Sequence, residues 1–367
     1  MDANKKLDKK TVNKIVKIII ISVSSLLVTL LAFVGGFLIY ASATTLKTKS
    51  VENMKINGEV TTLVDKSENI NLLTWNIGYG SLDEKQDFYM DGGKGVIGES
   101  KETTLNNMTA MENKIAELNP DIFIIQEADV KSNRSHRVNE VDLLKEKFTS
   151  YEQSFACNFK AGYIPIPVGN PLGKVESGIT SFSKYHMTKS TRVQLPIPFS
   201  WPIKLFNLKR CLLATYLPIK DSEKSIVLIN LHLEAYDNGE GKAKQLKQLM
   251  DLMQEEYDKG NYVIAGGDFN QTFSNINYQK YPKMNDWVCP IIETNDYPSF
   301  TFNMDDTYPT CRSLNKPYYN SDKTNHQYYM LDGFITSNNI KVNTLNTLDL
   351  QFVNTDHNPV MMNITLL

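Results

Sequence analysis

"DIFIIQEAD", residues 121–129, is the stretch that decides the fold. After Asp121 it is wholly apolar for four residues, Ile122 to Ile125, and then breaks into Gln126, Glu127 and Asp129. A strand with one solvated face alternates apolar and polar side chains, so an unbroken apolar run predicts a strand covered on both faces. Such a strand belongs to a layered α/β fold, and its polar end carries functional side chains at one rim of the sheet.

Working outward, "INLLTWNIG" (Ile70 to Gly78) reads as a strand ending at a glycine turn. Between the two strands, Leu105, Met108, Met111, Ile115 and Leu118 recur near helical spacing, and Pro120 closes the segment. Downstream, "SGITSFSKY", "KRCLLATYLPI" and "SIVLINLHLEA" are strand-like, and the charged turn "KDSEK" joins the last two into a hairpin. "KAKQLKQLMDLMQEEYDKG" places Leu246, Leu249, Met250, Met253 and Tyr257 on one helical face, with Gly260 just past the end. "NYVIAGGDFN" is a second buried strand, and "YYMLDGFITS" and "LDLQFVNTDHNPVMMNITLL" supply the last ones. Strands in parallel and antiparallel contexts, interrupted by helices, predict two mixed sheets packed face to face with helices outside, within one domain spanning 70–367.

The N-terminus differs in kind. Lys5, Lys6, Lys9, Lys10, Lys14 and Lys17 precede Ile18 to Ala43, 26 residues without a charge. At about 1.5 Å per residue this run exceeds the roughly 30 Å hydrocarbon core of a bilayer. The reading is a cytoplasmic basic tail (1–17), a transmembrane signal-anchor helix (18–43), an extracellular tether (44–69) with room for a first edge strand, and an extracellular domain, a single-pass protein of the cell membrane oriented by its lysines. A cleaved signal peptide is the alternative, since "ASA" at Ala41 to Ala43 resembles a peptidase site, although such apolar regions are usually shorter. Residues 1–49 carry eight lysines and two aspartates, leaving 31 basic against 39 acidic groups in the rest, a net charge near −8. That balance weighs against a non-specific nucleic-acid binder. Cys157, Cys211, Cys289 and Cys311 show no zinc spacing. A Cys289–Cys311 disulfide is permitted, with plain packing the simpler reading.

The apolar strands deliver polar side chains at their C-terminal ends: Asn76, Glu127, His232, Asp268 with Asn270, Asp332, and Asp356 with His357. One alone is turn chemistry. Together they gather carboxylates that need a cation or hydrogen bonds to balance them. Their order and spacing resemble the endonuclease/exonuclease/phosphatase superfamily, which includes deoxyribonucleases, abasic-site endonucleases, sphingomyelinases and inositol-polyphosphate phosphatases. "GDFN" at 267–270 followed by "DHNPV" at 356–360, with Glu127, carries the resemblance over residues 71–367. It implies a four-layer αββα sandwich, Mg²⁺ (or Mn²⁺), and hydrolysis of a phosphoester, either in nucleic acid or in a phospholipid headgroup.

Glu127 is the expected first metal ligand, a hard oxygen suited to Mg²⁺. Asn76 would orient it or touch the phosphate, and Asp356 would complete the shell. The resemblance implies that His357, oriented by Asp332, acts as base or as a cation on the phosphate. It implies that His232 binds phosphate or acts as acid, with Glu176 as its carboxylate partner. Asp268 would position or deprotonate water, and Asn270 would donate to the phosphate. Arg312 is a candidate phosphate contact and His326 a candidate lining residue of the cleft, whereas His136 and His186 read as surface residues. "DGGKG" (Asp91 to Gly95) lacks phosphate-loop spacing and reads as a loop beside the site. "LPIPFSWPIKLF" (Leu195 to Phe206) is either an aromatic tip that meets a lipid interface or a hairpin packed on its own domain. The leading functional expectation is a membrane-anchored phosphodiesterase, first of all a nuclease. The alternatives are a sphingomyelinase-like lipid-headgroup phosphodiesterase, an inositol-phosphate phosphatase, and a non-catalytic binding ectodomain.

Overall fold

In the computed structural model, residues 8–237, 239–284 and 287–367 are described. Residues 1–7 of the expected basic tail, including Lys5 and Lys6, lie outside them. Four α-helices of eight residues or more occur among the described residues: α1 (Lys9–Thr44), α2 (Lys101–Leu118), α3 (Glu140–Lys147) and α4 (Glu240–Asp258). Asp8 caps α1, accepting from the backbone N–H groups of Lys10 and Thr11, and Ser100 caps α2 through Thr103. Asn119, in the left-handed conformation, ends α2 just before Pro120.

Two seven-stranded mixed sheets form the body. One runs in the order Val51–Asn53, Lys189–Gln194, Cys211–Pro218, Ser225–His232, Tyr262–Asp268, Asp332–Ser337 and Phe300–Asn303. The other runs Ile340–Thr347, Val360–Leu366, Ile70–Asn76, Ile122–Asp129, Gly173–Ser183, Glu152–Ile164 and Ile56–Asn57. The expected hairpin 211–232 is present and antiparallel.

The apolar run at 122–125 is explained by what covers it. Ile122 and Ile124 point between the sheets, where they meet Ile70, Leu72, Leu228, Ile264 and Phe334. Phe123 and Ile125 point outward into a cluster with Met108, Met111 and Ile115 of α2 and Val141 and Leu144 of α3. On the far side, Leu249, Met250 and Met253 of α4 cover Val227, Ile229, Val263 and Ala265. Helix, sheet, sheet, helix is therefore the layer order, as the apolar runs predict.

Two parallel pairs set the position of the site. Strands 70–76 and 122–129 are parallel across the α2 crossover, and 225–232 and 262–268 are parallel across α4. Their carboxyl ends face the same way, and the antiparallel neighbours 332–337 and 360–366 begin at that edge.

The segment 44–69 carries the edge strand that its reading allows and a second one: Val51–Asn53 pairs with 191–193 at the edge of one sheet and Ile56–Asn57 pairs with 153–154 at the edge of the other. Edge strands this short lack the periodicity that marks the longer ones. All four cysteines are free, with Cys211 and Cys311 buried.

Candidate active site

Register alone brings the first three residues together. His232, Asp268 and Asp332 are direct partners across adjacent strands, a single row at one end of the sheet. Side chains in one row of a sheet sit about 5 Å apart, so the row crowds an imidazole and two carboxylates. His232 Nε2 lies 3.4 Å from Asp268 Oδ2.

The second sheet supplies the rest. Glu127 takes φ 58°, in the left-handed region, at a bulge where pairing with 173–183 shifts between Ile125 and Ala128. A non-glycine residue seldom adopts that backbone, and a bulge there re-aims the side chain. Glu127 thus turns into the cavity instead of continuing the alternation. Asn76 bridges the sheets, its Nδ2 donating to Glu127 Oε1 at 3.2 Å and Asp268 Oδ2 at 3.1 Å. Beneath it, Gln126 donates to Asn230 at 2.9 Å, a buried polar tie between the layers.

His357 Nδ1 contacts Asp332 Oδ2 at 2.8 Å, and Nε2 lies 3.9 Å from both Asp268 and Asp356. The indole N–H of Trp75 donates to the His357 carbonyl at 2.9 Å and fixes the loop. Asp356 approaches Gly78, where φ is +51° and a Cβ would lie 2.7 Å from Asp356 Oδ1, so the turn after Asn76 admits only glycine at this contact. The Asn270 backbone N–H donates to Asp268 Oδ1 at 2.8 Å, and its side-chain amide donates to the Leu233 carbonyl at 2.9 Å.

The electrostatics follow from burial and neighbours. Burial pushes Asp268 up to about 7, aided by the adjacent Asp332 charge. Burial also raises Asp356 and pulls His232 well below the ordinary histidine value, with Arg210 reinforcing the latter. His357 goes the other way. Burial opposes its charge, but Cys311, Asp332 and Asp356 outweigh burial and raise it well above the ordinary value. The Cys311 thiol is itself pushed up to about 12 and stays neutral, so the carboxylates must carry that effect. His232 is therefore held toward the neutral imidazole, with Nε2 3.4 Å from Asp268, and His357 toward the imidazolium.

Glu127, His232, Asp268, Asn270, Asp356 and His357 line a cavity of about 960 Å³, with Asp332 behind His357. Four carboxylates, of Glu127, Asp268, Asp332 and Asp356, face one imidazolium. The nearby guanidinium groups are already engaged. Arg134 binds Asp129 through two nitrogens at 2.9 and 3.1 Å, leaving a 3.7 Å approach to Glu127, and Arg210 pairs with Glu234 at 3.3 Å. Asp332 Oδ1 and His232 Nδ1 are buried without a partner. Ligand-capable atoms of Asp268, Asp332 and His357, and of Cys311, Asp356 and His357, lie within 4.8 Å of one another. A cluster with surplus hard-oxygen charge fits a divalent cation such as Mg²⁺ or Mn²⁺.

Two expected residues fall elsewhere, and a third stands at the cavity wall with most of its donors turned to backbone. Glu176 does not meet His232; it pairs with Lys160 at 2.6 Å and Lys174 at 3.6 Å, outside the cavity. Arg312 borders the cavity but is 1% exposed, and its two terminal nitrogens bond the carbonyls of Ser313 and Asp83, at 3.2 and 2.7 Å, while its Nε has no partner. His326 is buried against Tyr318 and bonded to Ser321 at 2.8 Å, away from the cavity lining, and burial lowers it to about 4. His136 and His186 are half-buried, bonded to the Gly98 carbonyl and to Glu152. The sequence reading missed Arg134, which stacks 3.7 Å over Tyr79, and Arg210 with Glu234. Their partners lie far off in the chain or carry no local motif.

Residues 73–358 match the profile of the Endonuclease/Exonuclease/phosphatase family. No curated protein is significantly similar in sequence. Among solved structures, an endonuclease/exonuclease/phosphatase from Beutenbergia cavernae superimposes with a TM-score of 0.54 at 15% identity, covering 81% of this chain and 72% of that one. The human Nocturnin catalytic domain with bound sulfate gives 0.52 at 15% identity, covering 86% and 98%. ANGEL2, a 2',3'-cyclic phosphatase in complex with adenosine-2',3'-vanadate, gives 0.52 at 13% identity, covering 85% and 98%.

Proposed function

The chain belongs to the endonuclease/exonuclease/phosphatase family, whose members are hydrolases of phosphoester bonds, and on that premise we propose that it is a metal-dependent phosphoesterase that attacks its substrate with water. One observation carries the reading: the carboxyl groups of Glu127, Asp268 and Asp356 line one end of the cavity around His357, whose far nitrogen Asp332 holds. Such a cluster is costly without a cation and useful with one.

Glu127 and Asp356 are the residues that would hold the ion, with Asn76 fixing Glu127. A bound Mg²⁺ or Mn²⁺ supplies charge neutralisation on the phosphoryl oxygens and on the leaving oxygen. The protein groups do the proton work. Asp268, held by Asn76 and the Asn270 N–H and poised at about 7, takes a proton from water near neutral pH. His357, kept charged and oriented by Asp332, places a fixed positive charge on the phosphate. His232, neutral and 3.4 Å from Asp268, hydrogen-bonds the phosphoryl group from the facing strand. Asn270 keeps one amide hydrogen for the substrate after bonding Leu233.

The 36-residue α1 is long and apolar enough to cross a membrane. We read it as an anchor with the lysines at 9, 10, 14 and 17 on the cytoplasmic side and the catalytic body outside. Nucleic acid and lipid headgroup are the two phosphodiester classes within this reading, and the net charge near −8 beyond residue 49 disfavours a strong grip on nucleic acid.

The test is hydrolysis of bis(p-nitrophenyl) phosphate by the detergent-purified full chain with Mg²⁺, with Mn²⁺ and with chelator. The reading expects turnover that chelation abolishes. Turnover unaffected by chelator removes the metal, and His357→Ala at full rate removes the site. For the anchor, protease added to intact cells should digest the domain; protection would reverse the orientation.

A further inference from the structure

One wall of the catalytic cavity is continuous with the seat of α1. The wall consists of two loops, 164–172 and 195–208, which contribute Ile164, Ile166, Phe199, Ile203 and Phe206 to the cavity. On its outer side, Phe37 of α1 stacks on Phe206 with centroids 5.8 Å apart and rings 7° from parallel, and meets Tyr163 edge-on at 6.4 Å. Beyond the helix, Thr45 Oγ1 donates to the Leu205 carbonyl at 3.2 Å and the Leu46 N–H to the Lys160 carbonyl at 3.0 Å.

The level of that contact matters. Phe37 lies seven residues before the helix end at Thr44, about 10 Å along the axis at 1.5 Å per residue, and is inside the uncharged run Ile18–Ala43. If that run spans a bilayer, Phe206 and Tyr163 sit beside its last turns, at the boundary of the hydrocarbon. The same two loops carry exposed apolar residues at their tips: Val168 is 94% exposed, and Trp201 and Ile203 are each 56% exposed among the described residues. Indole and aliphatic groups at such tips partition into the headgroup boundary. Lys47, Lys49 and Lys204, exposed beside the same contact, suit the phosphate layer above it.

We propose that loops 164–172 and 195–208 form a bilayer-seated lip, continuous with the α1 contact, which opens the catalytic cavity onto the membrane surface, and that the substrate is a phosphoester carried on a bilayer lipid. This rests on the phosphoesterase reading above. In the step, the oxygen of water bonds to phosphorus, the P–O bond to the lipid alcohol breaks, and the alcohol oxygen takes up the proton that water gives up. Lipid remains in the bilayer and the phosphorylated headgroup leaves to water.

The experiment uses the full chain reconstituted in vesicles of phosphatidylcholine, phosphatidylserine and sphingomyelin, measuring headgroup release alongside bis(p-nitrophenyl) phosphate turnover, for wild type and for the variant Val168→Ser/Trp201→Ser, whose two residues lie outside the cavity lining. Wild type should release a headgroup, and the variant should release it at least about tenfold more slowly while turning over the soluble ester at the wild-type rate. Bromine-labelled lipid should quench tryptophan emission in the wild type and markedly less in Trp201→Phe. Turnover of the soluble ester with no headgroup release overturns the lipid substrate and leaves the phosphoesterase standing. Absence of both activities overturns the phosphoesterase reading itself. Equal headgroup release by the variant, or equal quenching in Trp201→Phe, overturns the lip.

Discussion

At the scale of single residues, the site works by dividing charge among groups that would be alike in water. Two histidines less than one layer apart are driven in opposite directions, His232 toward the neutral form by burial and Arg210, His357 toward the charged form by the acids around it. Replacing Glu127 with Gln keeps the Asn76 contact and removes a hard anionic oxygen. Calorimetric Mg²⁺ uptake should therefore fall by at least about tenfold in affinity, with the unfolding midpoint of the metal-free protein nearly unchanged. Asp268 gives a test with a sign. Its carboxyl titrates near 7 in the fold against about 3.9 in an unfolded chain, so the folded protein holds that proton more tightly. The stabilisation is complete below about pH 4 and is lost as pH rises through about 7. In chelator, the stability difference between wild type and Asp268→Asn should move against wild type over that window. A difference independent of pH would show that Asp268 ionises normally. The errors in reading the sequence also lie at this scale. The resemblance pairs Glu176 with His232, yet alternation places Ser177 on the cavity side and turns Glu176 to its cross-strand partner Lys160. One residue of parity reverses the face, and no local pattern marks which parity holds.

At the scale of elements, strand order converts sequence neighbours into a site. The row His232, Asp268, Asp332 exists because a parallel and an antiparallel pairing share Asp268 at their last register position. Gly267 makes that row possible. A Cβ there would lie 2.0 Å from the Leu231 carbonyl oxygen, at φ +140°. Gly267→Ala should cost at least about 2 kcal/mol of stability, read as a shifted denaturation midpoint, and should disturb Asp268 and His232 together. The seat of α1 depends on another glycine. A Cβ at Gly162 would meet Thr44 Oγ1 at 2.5 Å and the Tyr40 hydroxyl at 2.7 Å. Gly162→Ile should unseat the helix end, raising proteolysis near Thr44 without altering turnover of a soluble phosphodiester. Unchanged cleavage would show that the contact does not hold the helix. These close approaches are invisible in sequence, where Gly162 and Gly267 look like any glycine in a strand.

At the scale of the whole molecule, an apolar helix leaves the body beside the cavity wall, so anchoring and access to the site share one surface. A chain starting at Ser50 keeps both short edge strands, 51–53 and 56–57. It should turn over bis(p-nitrophenyl) phosphate within about twofold of the full chain and release bilayer headgroups far more slowly, since an anchor raises effective concentration at the membrane. Equal headgroup release would make α1 a dispensable leader. The sequence by itself determined the layered sheets, the apolar run before the body and the acids and imidazoles at strand ends. Each of these is written in local periodicity: two-residue or 3.6-residue spacing, uninterrupted apolarity, and short motifs such as "GDFN" and "DHNPV". Only the tertiary structure decided which carboxylate meets which imidazole, that Arg312 bonds backbone carbonyls at the cavity wall and His326 bonds Ser321, that Arg134 and Arg210 border the cavity, and that Phe37 rests on Phe206. Those choices depend on register, parity and contacts between residues more than a hundred positions apart, and burial then sets the charges that local composition leaves undetermined.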